Sequence, residues 1–346
     1  MILLEMNICN IRKRFAGILA ENDNLLLAGK LHIKEIACLQ FNRNYDIIGS
    51  NIILMSGVER MEHITELGGV VTGFNVAERC IDCMCGKDLI KVDKFSGDTI
   101  YQKTVFEKDG LSRKLFADDK QIFIYDFCTL YVLSQNNYEL IGKWQLGNDL
   151  SSDICGMAID SDTIYCSIRN GKIITLDRQS YQIKEFIISE SSMWSMKIYA
   201  PYLVCGTVDG KLLLLDKSTL SIEKELVLGK KNIGSLCING ETLYAASHDG
   251  KLFKVNIRNF EVESSMKNAH KKMFVCAGIC EDMLVTVSYP CSEISIWNKE
   301  TLERIKVINT PLKLSGRTHI EDDFMYISSR NILGIDRINL REACGK

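Results

Sequence analysis

The densest group of potentially reactive side chains in the sequence is Cys80-Ile81-Asp82-Cys83-Met84-Cys85. Thiolates at this spacing are suitable ligands for zinc or for an iron–sulfur cluster. A structural zinc site needs four ligands, however, and no second cysteine pair with a matching spacing occurs in the sequence. In a β-strand, Cys83 and Cys85 would share one face and Cys80 would point elsewhere. We interpret the three cysteines as small buried hydrophobes and expect no metal and no disulfide, with metal binding and redox sensitivity as the alternatives.

The five histidines form no metal-binding or catalytic pattern, because no two have the helix-face spacing of an HExxH motif. His248 lies beside a predicted hairpin turn, where we expect a structural role. His270 and His319 lie in or beside predicted loops, either as ligand contacts or as solvated loop residues. No nucleophile elbow, phosphate loop or dinucleotide fingerprint occurs in a suitable context, and the carboxylates are scattered. The sequence therefore favours a protein without catalytic activity and leaves an enzyme site assembled from several repeats as the alternative.

Composition and charge narrow the class of protein. The 346 residues carry a net charge of −2, which gives no general attraction to nucleic acid or to an anionic membrane. No apolar run is long enough to span a membrane, and the N-terminus lacks the features of a secretory signal. Most of the 14 cysteines lie in apolar, strand-like segments, which is typical of a reducing compartment. We expect a cytoplasmic protein.

Self-similar segments of about 40 residues run through the chain. Residues 153–189, 193–229 and 232–267 each contain four short apolar or alternating runs, separated by Gly, Asp, Asn or Ser. Such runs and separators indicate β-strands and turns. Tight hairpin turns are indicated where a glycine follows Asn or Asp between two apolar runs. These dipeptides are Asn170-Gly171, Asp209-Gly210 and Asp249-Gly250.

A second landmark ends the third predicted strand of each repeat, where an apolar residue precedes a polar one. Eight such marks predict eight units in a single domain of residues 1–346, with seven as the alternative. The predicted units span about 13–55, 68–107, 111–146, 152–189, 192–229, 231–268, 271–309 and 311–340, and residues 2–11 supply a strand that closes the last unit. The eight marks are Leu39-Gln40, Val92-Asp93, Leu133-Ser134, Leu176-Asp177, Leu215-Asp216, Val255-Asn256, Trp297-Asn298 and Ile335-Asp336.

Residues 89–103, 212–226 and 295–308 resemble the strand–Asp–turn–strand segment of WD40-like and quinoprotein-like (PQQ-like) repeat propellers. The resemblance implies an all-β fold, a β-propeller of four-stranded blades. The Gly-His and Trp-Asp signature of WD40 repeats is absent from most units, and its nearest matches are Ser247-His248-Asp249 and Ile296-Trp297-Asn298. Quinone-dependent dehydrogenases of the second family are larger exported proteins with a tryptophan in many blades. Since this chain has three tryptophans, we expect no cofactor.

The loops between units are the predicted partner-binding region, because in a propeller they converge on one end of the central channel. Basic and aromatic residues at matching positions would form neighbouring parts of one surface, although packing of Trp194 between blades and solvated lysines are the alternative. We predict a non-catalytic protein- or peptide-binding scaffold, a monomeric propeller within a complex that binds neither nucleic acid nor membrane. A lyase or hydrolase, or a small-ligand binder, with its site at the channel mouth is the alternative. The predicted partner-binding residues are Arg113, Trp194, Lys230, Lys231, His270, Lys271, Lys272, Met273 and Arg317.

Overall fold

The computed structural model describes residues 45–47, 52–55, 61–109, 114–271, 273–289, 293–310, 314–329 and 333–345, with the backbone alone for 45–47, 52–55, 150, 314–317 and 329. The chain divides into two compact units, Met1–Asp46 and Ile47–Lys346. Of the first unit, the structure describes only Tyr45 and Asp46, at the start of strand β1 (Tyr45–Ile47). The second unit contains the ring described below.

Seven four-stranded antiparallel blades form this ring, and the sheet of the seventh blade continues beyond its fourth strand. The first strands are innermost, where those of neighbouring blades contact each other. Blades 1 and 2 comprise β4 (Val71–Val76), β5 (Cys80–Cys85), β6 (Asp88–Asp93) and β7 (Thr99–Thr104), then β8 (Lys114–Ala117), β9 (Gln121–Asp126), β10 (Thr129–Ser134) and β11 (Leu140–Gln145). Blades 3 and 4 comprise β12 (Ile154–Ile159), β13 (Thr163–Ile168), β14 (Lys172–Asp177) and β15 (Ile183–Ile187), then β16 (Met193–Tyr199), β17 (Tyr202–Thr207), β18 (Lys211–Asp216) and β19 (Ile222–Val227).

The last three blades repeat this order. Blades 5 and 6 comprise β20 (Ile233–Asn239), β21 (Thr242–Ser247), β22 (Leu252–Asn256) and β23 (Glu261–Met266), then β24 (Phe274–Cys280), β25 (Met283–Ser288), β26 (Glu293–Asn298) and β27 (Arg304–Asn309). Blade 7 comprises β28 (Leu314–Glu321), β29 (Phe324–Ser329), β30 (Gly334–Asn339) and, outermost, β3 (Met61–Glu66), whose free edge pairs with β2 (Ile52–Met55). The only helical segments among the described residues are a 3-10 turn, Leu150–Ser152, and a one-turn helix, α1 (Leu340–Ala343).

The predicted all-β propeller is confirmed, with seven blades, which was the alternative blade number. The ring is closed because the inner strand β28 of blade 7 contacts both β24 of blade 6 and β4 of blade 1. The favoured eight blades are not confirmed. The first predicted unit, 13–55, and its landmark Leu39-Gln40 lie outside the described residues except for 45–47 and 52–55.

Closure of the last blade uses a strand from the N-terminal side of the ring, as predicted, but not residues 2–11, which lie outside the described residues. The fourth strand of blade 7 is β3, which pairs with β30. Two polar pairs join these strands: His63 Nδ1 lies 2.9 Å from Asp336 Oδ1, and Arg337 Nε donates to Glu62 Oε2 at 2.5 Å. Strand β3 therefore covers the edge that β30 would otherwise expose.

The polar landmark residue forms the turn into the outer strand. Asp216 Oδ1 accepts hydrogen bonds from the backbone N–H groups of Ser218 and Thr219, both at 2.9 Å. Together with the Ser218 hydroxyl, these bonds lower the pKa of Asp216 to about 2. The chain then reverses through Leu220, whose φ is +58° and whose N–H donates to the Asp216 carbonyl. The same side-chain cap occurs at four other landmarks, Asp93, Asp177, Asn256 and Asn298.

Alternating side chains of each blade pack against the two neighbouring blades. In β5, Cys83 and Cys85 belong to the hydrophobic cluster shared with blade 7, whereas Met84 belongs to the cluster shared with blade 2. Burial raises the pKa of the Cys83 thiol well above its usual range. The cysteine-rich strand therefore lies where the period-two pattern predicted, and all the cysteines that the structure describes are free thiols.

Candidate partner-binding face

One end of the ring, which we call the upper face, carries the loops between blades and the turns between second and third strands. Backbone hydrogen bonds tie these two kinds of segment together in consecutive blades. Val208 N donates to Ser192 O, and His248 N donates to Asn232 O, each at 2.9 Å. In blades 1 to 6, the first turn residue therefore lies at an equivalent place on the upper face, and we call these positions the rim. These matching residues are Gly86, Phe127, Arg169, Val208, His248 and Tyr289.

Phe127 is the most unusual residue of this rim. It lies between β9 and β10, its side chain is 56% exposed, and its φ is +50°. Gly86 takes a similar φ of +59° at the matching place in blade 1. A non-glycine residue in this conformation costs about 1–2 kcal/mol, because Cβ approaches the backbone. Strained residues of this kind cluster at binding sites. An exposed aromatic in this position therefore marks the rim as a candidate contact surface.

Trp194 lies at the bulge near the start of β16, where the pairing with β17 shifts between Met193 and Ser195. Its side chain is 41% exposed and packs edge to face against the ring of His248 in the next blade. Gly234 makes room for His248, since a Cβ at this position would lie only 2.2 Å from His248 Nε2. Burial lowers the pKa of His248, which favours the neutral ring. Trp194 is therefore held on the upper face with much of its indole open to solvent.

Exposed lysines adjoin these side chains. Lys230 and Lys231 lie in the loop between blades 4 and 5, and Lys271 lies in the loop between blades 5 and 6. None of the three forms an ion pair with any residue of the described part of the chain. The basic residues of the nearby hairpin turns differ, because each has an acidic partner within 4 Å. These pairs are Arg169–Asp153, Lys211–Asp209, Lys211–Glu225 and Lys251–Asp249.

The remaining predicted contact residues have different positions. Met273 is half-buried beside the first strand of blade 6. Arg317 lies in the inner strand β28, for which only the backbone is described at this point. Arg113 and Lys272 lie outside the described residues. The structure thus places Trp194, Lys230, Lys231 and Lys271 on the upper face.

His270, which the sequence placed among the exposed contact residues, is buried in the structure. Its ring is buried, with Nε2 2.7 Å from Thr286 Oγ1 and Nδ1 3.0 Å from Glu293 Oε1. Trp297 Nε1 donates to the same Thr286 hydroxyl oxygen at 2.8 Å. Burial lowers the pKa of His270. The buried Nε2 atom of His270 thus has a hydrogen-bond partner inside blade 6, where an unpaired polar atom would be costly.

Sequence reasoning missed Phe127 and Val208, whose side chains are 56% and 39% exposed on the rim. A signal was present in Asp126-Phe127-Cys128-Thr129. The upper turns of blades 1, 3, 4 and 5 have glycine at the residue with positive φ. A bulky aromatic at positive φ in the upper turn of blade 2 conflicts with this local preference. Val208 precedes Asp209-Gly210, and nothing in its sequence context distinguishes it from a buried strand residue.

The opposite end of the ring, which we call the underside, carries inter-blade ion pairs. Arg178 in the turn after β14 donates to Asp118 of the preceding blade at 2.6 Å, and Lys217 contacts Asp160 in the same way one blade further. A groove of about 360 Å³ opens between blades 3 and 4 beside this second pair. Tyr165, which lines the groove, donates to the Lys217 carbonyl at 3.5 Å. The polar groups named here already join blades, so we assign them a structural role.

A buried carboxylate lies between blades 1 and 2, within strand β5 rather than in a turn of the underside. Asp82 is inaccessible to solvent and accepts hydrogen bonds from Gln135 Nε2 at 2.5 Å and from the Tyr138 hydroxyl. Lys91 Nζ lies 3.8 Å away and balances the charge. This arrangement satisfies a buried ion, and we assign it to the blade interface.

Two further observations concern other classes of site. Among the residues that the structure describes, no group of three or more His, Cys, Asp or Glu side chains is arranged to hold a metal ion. Within the same residues, no helix has the length and apolar character needed to cross a membrane.

No family model matches the sequence, and no curated protein matches it. Solved structures share the fold. Chaetomium thermophilum Raptor is 12% identical, with a TM-score of 0.68, over 82% of this chain and 30% of the Raptor chain. The computationally designed Ika8 protein is 11% identical, with a TM-score of 0.62, over 80% of this chain and 99% of its own. This chain therefore spans less than a third of the length of Raptor, and identities this low show the β-propeller fold alone.

Proposed function

We propose that this protein is a non-catalytic scaffold that binds a protein or peptide partner on its upper face. The observation that carries the proposal is the exposed Phe127 side chain, held in a strained conformation on the same rim as Trp194 and Val208. Exposed aromatic residues on a rigid framework are typical binding hot spots. The backbone of this turn joins blade 2 to blade 3, because Phe127 O accepts a hydrogen bond from Ile154 N at 2.9 Å. The Phe127 side chain itself packs little, since more than half of it is open to solvent.

The carboxylates of the upper turns favour this function over an enzyme. Asp153, Asp209 and Asp249 each have a basic residue of the same blade as a close partner. Catalytic acids and bases need pKa values displaced toward neutrality, whereas Asp209 and Asp249 have pKa values lowered from their usual range, with hydrogen bonds to the Thr207 hydroxyl and Lys251, respectively, as the leading lowering interactions. These acids are suited to holding the turns rather than to proton transfer.

The hydrogen-bond network of blade 6 supports a WD40-like origin for the repeats. His270 precedes the first strand of its blade and Trp297 lies near the end of the third strand. These are the places of the Gly-His and Trp-Asp pairs in WD40 repeats. We further propose a monomeric propeller that works within a larger complex. The free thiols of the described strands support a cytoplasmic location.

A selection from a displayed library of random 12-residue peptides tests the proposed function. Wild-type protein is compared with the double variant Phe127→Ala/Trp194→Ala and with a control, Phe95→Ala/Ile183→Ala. The control removes apolar side chains of similar exposure, 68% and 45%, from an underside turn and from the underside end of the outer strand β15. We expect peptides that bind wild type and the control but lose at least tenfold in affinity for the first variant. Peptides that bind all three proteins equally, or no enrichment on wild type, would overturn the proposal.

A further inference from the structure

We infer that the partner segment is acidic on one side of an apolar anchor residue. This inference rests on the proposed function and specifies the chemistry of its ligand. The apolar side chains of the upper face, Phe127, Trp194 and Val208, belong to blades 2 and 4. The unpaired lysines follow in the next two loops around the ring. The apolar side chains therefore lie in one part of the upper face and the unpaired lysines lie in the adjoining part.

Paired and unpaired cations of the upper face differ in the electrostatic field that they present to a ligand. An ion pair within one hairpin largely cancels the field of its lysine or arginine, as at Lys251 and Asp249, which lie 2.7 Å apart. Lys230, Lys231 and Lys271 are exposed and have no such partner among the described residues. Their field acts on whatever docks over the loops on either side of blade 5, because charges within about 10 Å interact at moderate ionic strength. A carboxylate-bearing segment is the complementary ligand.

The acidic residues of the upper face limit where this segment lies. Glu190 is exposed in the loop before blade 4, and Asp149 is exposed in the loop before blade 3. Ser151 and Ser152 hydroxyls donate to Asp149 Oδ1 at 2.6 and 2.9 Å. An acidic stretch would be repelled from these loops and attracted to those on either side of blade 5. The anchor then lies toward blades 2 to 4, and the carboxylates lie over Lys230, Lys231 and Lys271.

A nucleic acid fits this surface less well than an acidic peptide. Phosphate contacts dominate nucleic-acid affinity and need a run of basic side chains along the backbone. Here the loops before the three lysines carry Glu190 and Asp149, and the chain has a net charge of −2. The apolar contacts also include Val208, which offers no stacking surface for a base.

The experiment uses the peptides selected on wild-type protein. We expect an excess of Asp and Glu on one side of an apolar residue, and a Glu→Gln version of the best peptide should bind at least tenfold more weakly. The charge reversal Lys230→Glu/Lys231→Glu should weaken binding by a similar factor. Lys184→Glu, an exposed lysine on β15 of blade 3, is the matched control and should have little effect. Raising the salt concentration should weaken wild-type binding.

The outcomes separate this inference from the proposed function. Peptides that need Phe127 and Trp194 but are not acidic, or that bind Lys230→Glu/Lys231→Glu as well as wild type, overturn the inference and leave the proposed function standing. Failure to enrich any peptide dependent on Phe127 and Trp194 overturns both. Oligouridine provides the last test. If it competes with the peptide, binds wild type more tightly than the peptide does, and loses affinity in Lys230→Glu/Lys231→Glu, the inference of an acidic peptide is wrong and RNA is the ligand.

Discussion

The indole of Trp194 packs edge to face against the imidazole of His248 in the neighbouring blade, with the ring centroids 6.1 Å apart and the planes at 81°. The contact depends on a third residue, because His248 occupies the space that a side chain at Gly234 would fill. Gly234 and Trp194 are both bulge residues of their inner strands. At the same bulge position, blade 4 has Trp194 and blade 5 has a glycine, Gly234.

The first prediction is that Gly234→Ala displaces His248 and loosens Trp194. The added Cβ would be 2.2 Å from Nε2, so the imidazole must move outward. We expect faster iodide quenching of tryptophan emission and weaker peptide binding, without global unfolding. Gly229→Ala is the matched control, since a Cβ there meets nothing within 4 Å. Identical quenching in Gly234→Ala and wild type would show that His248 does not support the indole.

The second prediction is that Thr286→Val destabilises blade 6. The hydroxyl of Thr286 serves both His270 Nε2 and Trp297 Nε1, and the substitution would leave both buried nitrogens without a partner. A buried polar group that loses its partner costs about 1–3 kcal/mol. Urea denaturation measures the loss. Thr175→Val removes a half-buried hydroxyl with one long hydrogen bond, at 3.5 Å, and should cost much less. Equal effects of the two changes would contradict a shared network.

The third prediction concerns pH. Burial lowers the pKa of His270, so the unfolded chain binds more protons below its unfolded pKa of about 6.5. The contribution of His270 to stability is therefore complete above that value and is lost as the pH falls toward the folded-state pKa, by at most about 1.4 kcal/mol per pH unit. The contribution of His63 to stability changes with pH in the opposite direction, because its hydrogen bond with Asp336 raises its pKa.

Comparison with His270→Gln isolates the effect, since His63 is common to both proteins. Between pH 7 and 5, the unfolding free energy of wild type should fall more steeply than that of the variant. Parallel curves would show that His270 is not a neutral buried group.

The fourth prediction is that thiol reagents discriminate between Cys80 and Cys83. Cys83 is fully buried and its pKa is well above the usual range, whereas Cys80 is partly exposed. Only the thiolate reacts, so Cys83 should be alkylated by iodoacetamide only after unfolding, and well after Cys80. Mass spectrometry of the peptides gives the order. Equal rates in the native protein would contradict the packing of β5 against blade 7.

The features that sequence predicted are those fixed by neighbouring residues. Asp216 and its counterparts mark the end of the third strand because their side chains cap the very next turn. The alternation of Cys83, Met84 and Cys85 likewise follows from the pleat of one strand. Local rules of this kind predicted the four-stranded blade and the positions of most strands between residues 68 and 340.

The features that sequence did not predict depend on contacts between distant residues. The strand that closes blade 7 is β3 because Glu62 and His63 match Arg337 and Asp336, some 270 residues away along the chain. His270 is buried because Thr286 and Trp297 supply its surroundings. The number of blades depends on how the whole ring closes. One repeat sets only the angle between neighbouring blades, so its sequence does not predict that number.

The proposed binding role of the upper face depends most directly on Phe127, and a paired measurement of affinity and stability tests it. Affinity for the best selected peptide and melting temperature are determined for Phe127→Ala and for Phe95→Ala, whose ring is 68% exposed on the underside. Exposed substitutions of this kind change stability by about 0.5 kcal/mol or less. We predict near-wild-type melting for both variants, unchanged affinity for Phe95→Ala, and at least tenfold weaker binding, about 1.4 kcal/mol, for Phe127→Ala. Wild-type affinity in Phe127→Ala would contradict the assignment of the upper face.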